Sequence, residues 1–215
     1  MKMSTALALC LLLSAAVCGY TYSVYSGLPA QVPTHWNAVG KIDGYGPKGT
    51  LFLLPGMSLM GALFLVVLPF LSPKNFTIDT FRTTFNYIMV IVSAMLSYLG
   101  VVIVYATAHP GWDLTKPLIS GILLFIGLLG NFLGRVQKNF FVGIRTPWTL
   151  ASDKVWVATH RLGARVMTIG GILGAIAVWI GAPPMVCMFA FMAVILYPVL
   201  FSFMFYKKLE KTQTL

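Results

Sequence analysis

The chain has 215 residues, 58% of them hydrophobic and 9% charged, with a formal net charge of +10. An ordinary soluble domain carries roughly 25% charged residues, so a water-soluble globular fold is excluded in favour of a membrane-embedded one. The basic surplus does not point to direct nucleic-acid binding either, because the lysines and arginines sit between long apolar runs and form no patch of their own.

A helix that crosses a bilayer needs about 20 predominantly apolar residues. The first such run extends from Ser4 to Tyr25. Lys2 ahead of it and Ser14, Ala15 and Ala16 within it resemble a secretory signal. Its apolar character continues to Tyr25 with no polar mature start, and an uncleaved helix is expected. A loop from Ser26 to Thr50 follows, in which Pro29 and Pro33 stiffen the entry and Gly40, Gly44 and Gly46 permit unusual backbone. Such a loop is expected to be ordered, with Trp36 and Tyr45 suited to a membrane interface. Bracing of the first two helices and recognition are both open to it.

The second span is expected over Leu51–Leu71, the third over Phe85–Ala106 and the fourth over Pro117–Gly134. The segment from Gly130 to Val166 is rich in basic and aromatic residues. Thr146 before Pro147 reads as a helix start, with Ser152 before Asp153 as a competing cap. Val155, Thr159, Leu162 and Val166 then form one apolar stripe, which predicts a short amphipathic helix lying at the interface. Val166–Tyr206 carries no formal charge and is too long for one span; Gly181-Ala182-Pro183-Pro184 divides it as a tight hairpin between the fifth and sixth. The fold class is therefore all-α and polytopic with six spans. A two-span unit over residues 1–75 and a four-span unit over 76–215 are expected.

Orientation follows from the loops. With the N-terminus in the cytoplasm, twelve of the lysines and arginines fall on the inner side and three, Lys41, Lys48 and Lys116, on the outer side. Positive loops stay inside, so both termini are expected in the cytoplasm, the 26–50 loop outside and the 135–165 loop inside. All five acidic residues, Asp43, Asp79, Asp113, Asp153 and Glu210, lie outside the spans, which leaves proton-coupled transport through a buried carboxylate little to work with. Gly127, Gly130 and Gly134, with Gly170, Gly171 and Gly174, suit close helix packing.

Metal chemistry finds weak footing. His35 and His109 lie on the outer side near Asp43 and Asp113, but no H-x-x-H or H-E-x-x-H spacing occurs, and no metal or cofactor is expected. Cys10, Cys18 and Cys187 lie in apolar runs and read as small buried hydrophobes. His160, four residues after Trp156, reads as a packing residue, and no serine or cysteine has a recognisable base beside it.

Two stretches together resemble the SdpI family of bacterial toxin-immunity membrane proteins. The first has the form LP-x-x-VP-x-HWN-x-x-G-x-x-DG-x-x-x-K, carried by Leu28, Pro29, Val32, Pro33, His35, Trp36, Asn37, Gly40, Asp43, Gly44 and Lys48. The second, GN…KNFFVGIRTPWTL…VW…THRLG, includes Asn131, Asn139, Gly143, Arg145, Thr146, Pro147, Trp148, Trp156, His160, Arg161 and Gly163. The resemblance implies a non-enzymatic protein of the bacterial inner membrane, in contact with membrane lipid. It would protect the cell against a secreted, membrane-active peptide, and a transcriptional repressor retained at its inner face would allow signalling. Two other readings stay open. A small-molecule or lipid transporter would need a polar tunnel. A membrane enzyme acting on a phosphate-bearing lipid would need Arg145, Trp148, Asp153, His160 and Arg161 in one closed pocket.

Overall fold

The computed structural model describes residues 1–37, 41–74 and 77–214. Among the described residues, six helices are long and apolar enough to cross a membrane. They are α1 (Met3–Tyr25), α2 (Leu53–Leu71, entered through a 3-10 turn at Lys48–Phe52), α3 (Arg82–Ala108), α4 (Thr115–Leu133), α6 (Asp153–Trp179) and α7 (Pro184–Lys211). A five-residue helix, α5 (Pro147–Ala151), stands between α4 and α6.

Local chemistry sets the ends. The Thr115 N–H, the first of α4, donates to Asp113 Oδ1 at 2.9 Å in the turn before the helix, and Pro117 occupies its first turn, where a missing N–H costs nothing. The α6–α7 hairpin turns at Gly181, whose φ of +108° favours glycine, and Pro184 opens α7.

Two differences from the sequence reading bear on the site. The stripe from Val155 to Val166 is not a separate interfacial helix. It forms the first turns of α6, because nothing between Asp153 and Trp179 interrupts the helix, and the short helix of this loop is α5. Both competing starts are used: Thr146 caps α5 and Ser152 precedes α6. The loop after α1 is an antiparallel β-hairpin, β1 (Gln31–Trp36) with β2 (Ile42–Pro47), added to the helical fold.

α1, α2 and α3 pack together, as do α4, α6 and α7, and α3 also meets α4. In the first group, buried hydroxyls tie backbones across helices. Ser14 Oγ donates to the Pro55 carbonyl at 2.7 Å, and Ser93 Oγ to that of Ser58 at 3.2 Å. In the second group the glycines act as the sequence suggests, since Gly127 and Gly171 bring α4 and α6 into backbone contact. A Cβ on Gly171 would stand 2.5 Å from the Leu123 carbonyl oxygen and 2.7 Å from the Gly127 Cα. Backbone cannot step aside as a side chain can, so Gly171→Leu is expected to separate α4 from α6 and cost about 1–3 kcal/mol or more, read as loss of folded protein from the membrane fraction. Gly49→Leu, where nothing lies within 4 Å, is the matched control.

Candidate functional site

The molecule has a hairpin end and a basic end, and each gathers one of the two sequence motifs.

At the hairpin end, β1 and β2 pair with Val32 opposite Gly46, Pro33 opposite Tyr45, and Trp36 opposite Ile42. Val32 is buried against Leu28, Leu51 and Val104, which seats the hairpin on α1 and α3. His35 Nδ1–H donates to Asp43 Oδ1 at 2.5 Å across the strands, on an exposed surface. Gly44 is needed beside it, since a Cβ there would stand 2.9 Å from the His35 Cβ. Asn37 joins the strand ends, its N–H donating to the Lys41 carbonyl and its Oδ1 accepting the Lys41 N–H. Lys48 is engaged internally. Its ammonium donates to the carbonyls of Tyr25 and Leu28 at 3.1 and 3.4 Å and lies 4.4 Å from the Tyr25 ring centroid, the place where the end of a helix favours a cation. Gly40 lies outside the described residues.

The hairpin overhangs the turn between α3 and α4. Between them is a cavity of about 610 Å³, with Pro33, Trp36 and Tyr45 on one wall and Pro110, Trp112 and Asp113 on the other. Lys41 also reaches it. Trp112 is held edge-on to Tyr105 at 4.9 Å, and Tyr105 in turn stacks on His109 at 4.0 Å. Three aromatic rings with one cation and one carboxylate make a surface that suits an amphiphilic peptide: large rigid apolar area, with polar groups to orient it. Trp112 was not singled out from the sequence. Its only mark there is an aromatic residue in a short loop between two spans, which reads as an interface anchor.

At the basic end most of the second motif is structural. Asn139 is fully buried and uses its whole amide: Oδ1 accepts the N–H groups of Phe141 and Val142, and Nδ2 donates to the carbonyls of Gln137 and Val142. Gly143, at φ +123°, lies against His160 and Trp156, and a Cβ would collide with the imidazole. Trp156 and His160 stack at 4.0 Å, and the indole N–H donates to the Val136 carbonyl at 2.8 Å. His160 Nδ1 faces the Trp156 carbonyl at 2.8 Å and its Nε2 faces the Ile144 N–H at 3.0 Å. A carbonyl only accepts and an N–H only donates, so the imidazole is neutral with its proton on Nδ1.

Thr146 and Thr149 form a capping box, and Pro147 opens α5. The Trp148 indole N–H donates to Ser202 Oγ of α7 and its ring meets Phe203 edge-on at 5.2 Å. Gly163 leaves room for Leu133 and Ile144. These contacts latch the loop between α4 and α6 onto both α6 and α7.

Asn131, Arg145 and Arg161 remain exposed. Asp153 and Arg161 line one cavity of about 580 Å³, but His160 is turned to Ile144 and Trp148 to α7. The five residues of the enzyme reading therefore do not converge.

Comparison with known proteins follows this division. Residues 135–205, from the latch into α7, match the SdpI/YfhL protein family. Through this segment the chain resembles the SdpI/YfhL family. Residues 11–59, which include the hairpin, match a domain of unknown function, DUF1648. The chain is 27% identical over 189 residues to the immunity protein SdpI of Bacillus subtilis strain 168, covering 87% of this chain and 89% of that protein. No solved structure matches it. With six apolar helices and an SdpI/YfhL segment, the chain is a multi-pass membrane protein.

Proposed function

We propose that this chain is an SdpI/YfhL-type immunity protein of the bacterial inner membrane, which protects its cell from a secreted, membrane-active peptide by engaging it at the hairpin end. The similarity to an immunity protein along nearly the whole of both chains carries the reading. The aromatic cavity beneath the hairpin supports it, because it offers an amphiphilic peptide a surface on the side from which a secreted toxin arrives.

That side is assigned by charge. Twelve lysines and arginines lie at the basic end and three at the hairpin end, which supports a cytoplasmic basic end and cytoplasmic termini. A reporter fused after Lys211 is expected to read cytoplasmic and one inserted next to Lys41 external; the opposite pair would invert the assignment. At the inner face, the exposed Arg145 beside the latch offers a cationic point at which a transcriptional repressor could be retained once the peptide is bound. Arginine presents a planar fork to carboxylate where lysine presents a point charge. Arg145→Lys is therefore expected to weaken such signalling without loss of protein.

The test of immunity is survival. A strain sensitive to the peptide against which the Bacillus subtilis relative protects, and lacking its own immunity gene, is made to express this chain at a verified membrane level. Protection supports the reading, and unchanged killing counts against it.

A further inference from the structure

The cavity at the basic end has a chemistry that immunity does not use. Lys74 comes from the turn after α2, Arg135 and Lys138 from the segment after α4, and Arg161 from α6. Lys138 is paired with Asp153 at 2.5 Å. Asp79, close by in sequence, is held by Arg82. Among the described residues, no carboxylate pairs with Lys74, Arg135 or Arg161. Three cations therefore converge on a space of about 580 Å³ that also presents the hydroxyl-bearing residues Thr77 and Thr80. Like charges gathered around one surface cavity repel one another, and an anion seated among them relieves that repulsion.

Two observations say what kind of anion. The first is depth. α6 has 27 residues, which at about 1.5 Å each is longer than the roughly 30 Å hydrocarbon core. Its charged residues, Asp153, Lys154, Arg161 and Arg165, all lie in its first half, so the excess length belongs at that end and carries Arg161 toward the headgroup layer. Phe70 and Leu71, strongly exposed as lipid-facing residues are, end just before Lys74.

The second is an adjoining groove along α6, where Val157, Ala158 and Phe205 supply the apolar surface beside Lys154. It shares Asp153, Val157 and Arg161 with the basic cavity. A polar, cationic chamber continuous with an apolar groove fits a molecule with an anionic head and a hydrocarbon tail. An acidic protein segment would use the chamber and leave the groove empty.

We propose that this cavity is a binding site for an anionic glycerophospholipid of the membrane leaflet at the basic end. Lys74, Arg135 and Arg161 hold its phosphate, and an acyl chain lies along Val157, Ala158 and Phe205. The site is independent of whether the protein confers immunity. It gives the exposed Arg161 of the second motif a role that the latch does not.

The experiment uses the full-length protein purified in mild detergent, with bound lipid counted by native mass spectrometry after addition of phosphatidylglycerol or phosphatidylcholine. The parent is expected to retain phosphatidylglycerol in preference to phosphatidylcholine. A basic residue near an anionic lipid surface contributes about fivefold in binding, so K74Q/R135Q/R161Q together is expected to lower retention on the order of a hundredfold. Lys208→Gln with Lys211→Gln, which removes charge from the end of α7, should leave retention within about twofold.

Arg161→Lys, which keeps the charge, should insert normally and retain most of the lipid. Arg161→Gln alone should lose about fivefold, which gives a reading if the triple variant fails to fold. Equal retention by the parent and Arg161→Gln would overturn the proposal. So would an equal loss in the α7 control, which would mean diffuse charge. Full displacement of the lipid by millimolar inorganic phosphate would show a free-anion site, and loss of a co-purifying acidic protein with lipid retained would show a protein-docking face. Either result contradicts the lipid assignment.

Discussion

Trp36→Ala combined with Trp112→Ala is expected to abolish protection while the protein stays in the membrane at parental level. The two indoles stand on opposite walls of the outer cavity, one from β1 and one from the α3–α4 turn, so a peptide seated between them would lose both walls at once. Buried aromatic anchors each contribute about 2 kcal/mol or more at such surfaces, and the pair together corresponds to a loss in peptide affinity on the order of a thousandfold. Trp112 meets Tyr105 edge-on and does not enter the helix core, so its removal leaves the α3–α4 packing through Tyr98 and Phe125 in place. The measurement is survival at graded peptide dose with membrane abundance matched by immunoblot. Asp43→Ala, which breaks only the exposed pair with His35, should shift the dose response far less. Parental survival in the double variant would remove the outer cavity from the mechanism.

Gly143→Ala is expected to act from the other end and by a different route. The residue adopts a φ of +123°, which costs an alanine of order 1–3 kcal/mol. The added methyl would also drive into the imidazole of His160, whose Nε2 accepts the Ile144 N–H. Forcing the ring aside leaves that N–H without its acceptor and disturbs the stack on Trp156, for a further cost of roughly 1–3 kcal/mol. Since α5 reaches α7 through Trp148 and Ser202, the loss should spread to the α6–α7 pair. Thermal unfolding in detergent should fall by many degrees and the membrane level should drop. Gly111→Ala also places alanine at positive φ, +94°, but with nothing within 4 Å, and separates backbone strain from the collision. If the two variants unfold alike, the latch is not a packed unit.

The contrast between the two ends shows what the sequence could convey. Long charge-free runs announced the spans, because one solvent acts on every residue in them. The hairpin did not announce itself: Pro33 and Pro47 read against a strand, and Gly44 and Gly46 read as loop, although the close pairing of His35 with Gly44 needs that glycine. The apolar stripe from Val155 to Val166 was legible as helix but not as part of span five, because periodicity gives a face and no end. The Thr146 cap and the packing role of His160 rest on local chemistry and were legible.

What was not legible is convergence. Trp36 and Trp112 lie far apart in the chain, as do Lys74 and Arg161, and each pair meets only because the helices fold back on one another. Conversely, Arg145, Trp148, Asp153, His160 and Arg161 crowd one short segment, yet of these Asp153 and Arg161 share a cavity while His160 is turned to Ile144 and Trp148 to α7.

The central claim is that the peptide meets the protein beneath the hairpin, and photo-crosslinking tests it most directly. A photoreactive phenylalanine analogue replaces Trp112 in one protein and Lys138, at the basic end, in another, and intact cells expressing either are exposed to labelled peptide from outside. Covalent capture of the peptide at position 112, with little or none at 138, is the result expected. Capture at position 138 with none at 112 would place recognition at the other end of the molecule and contradict the account.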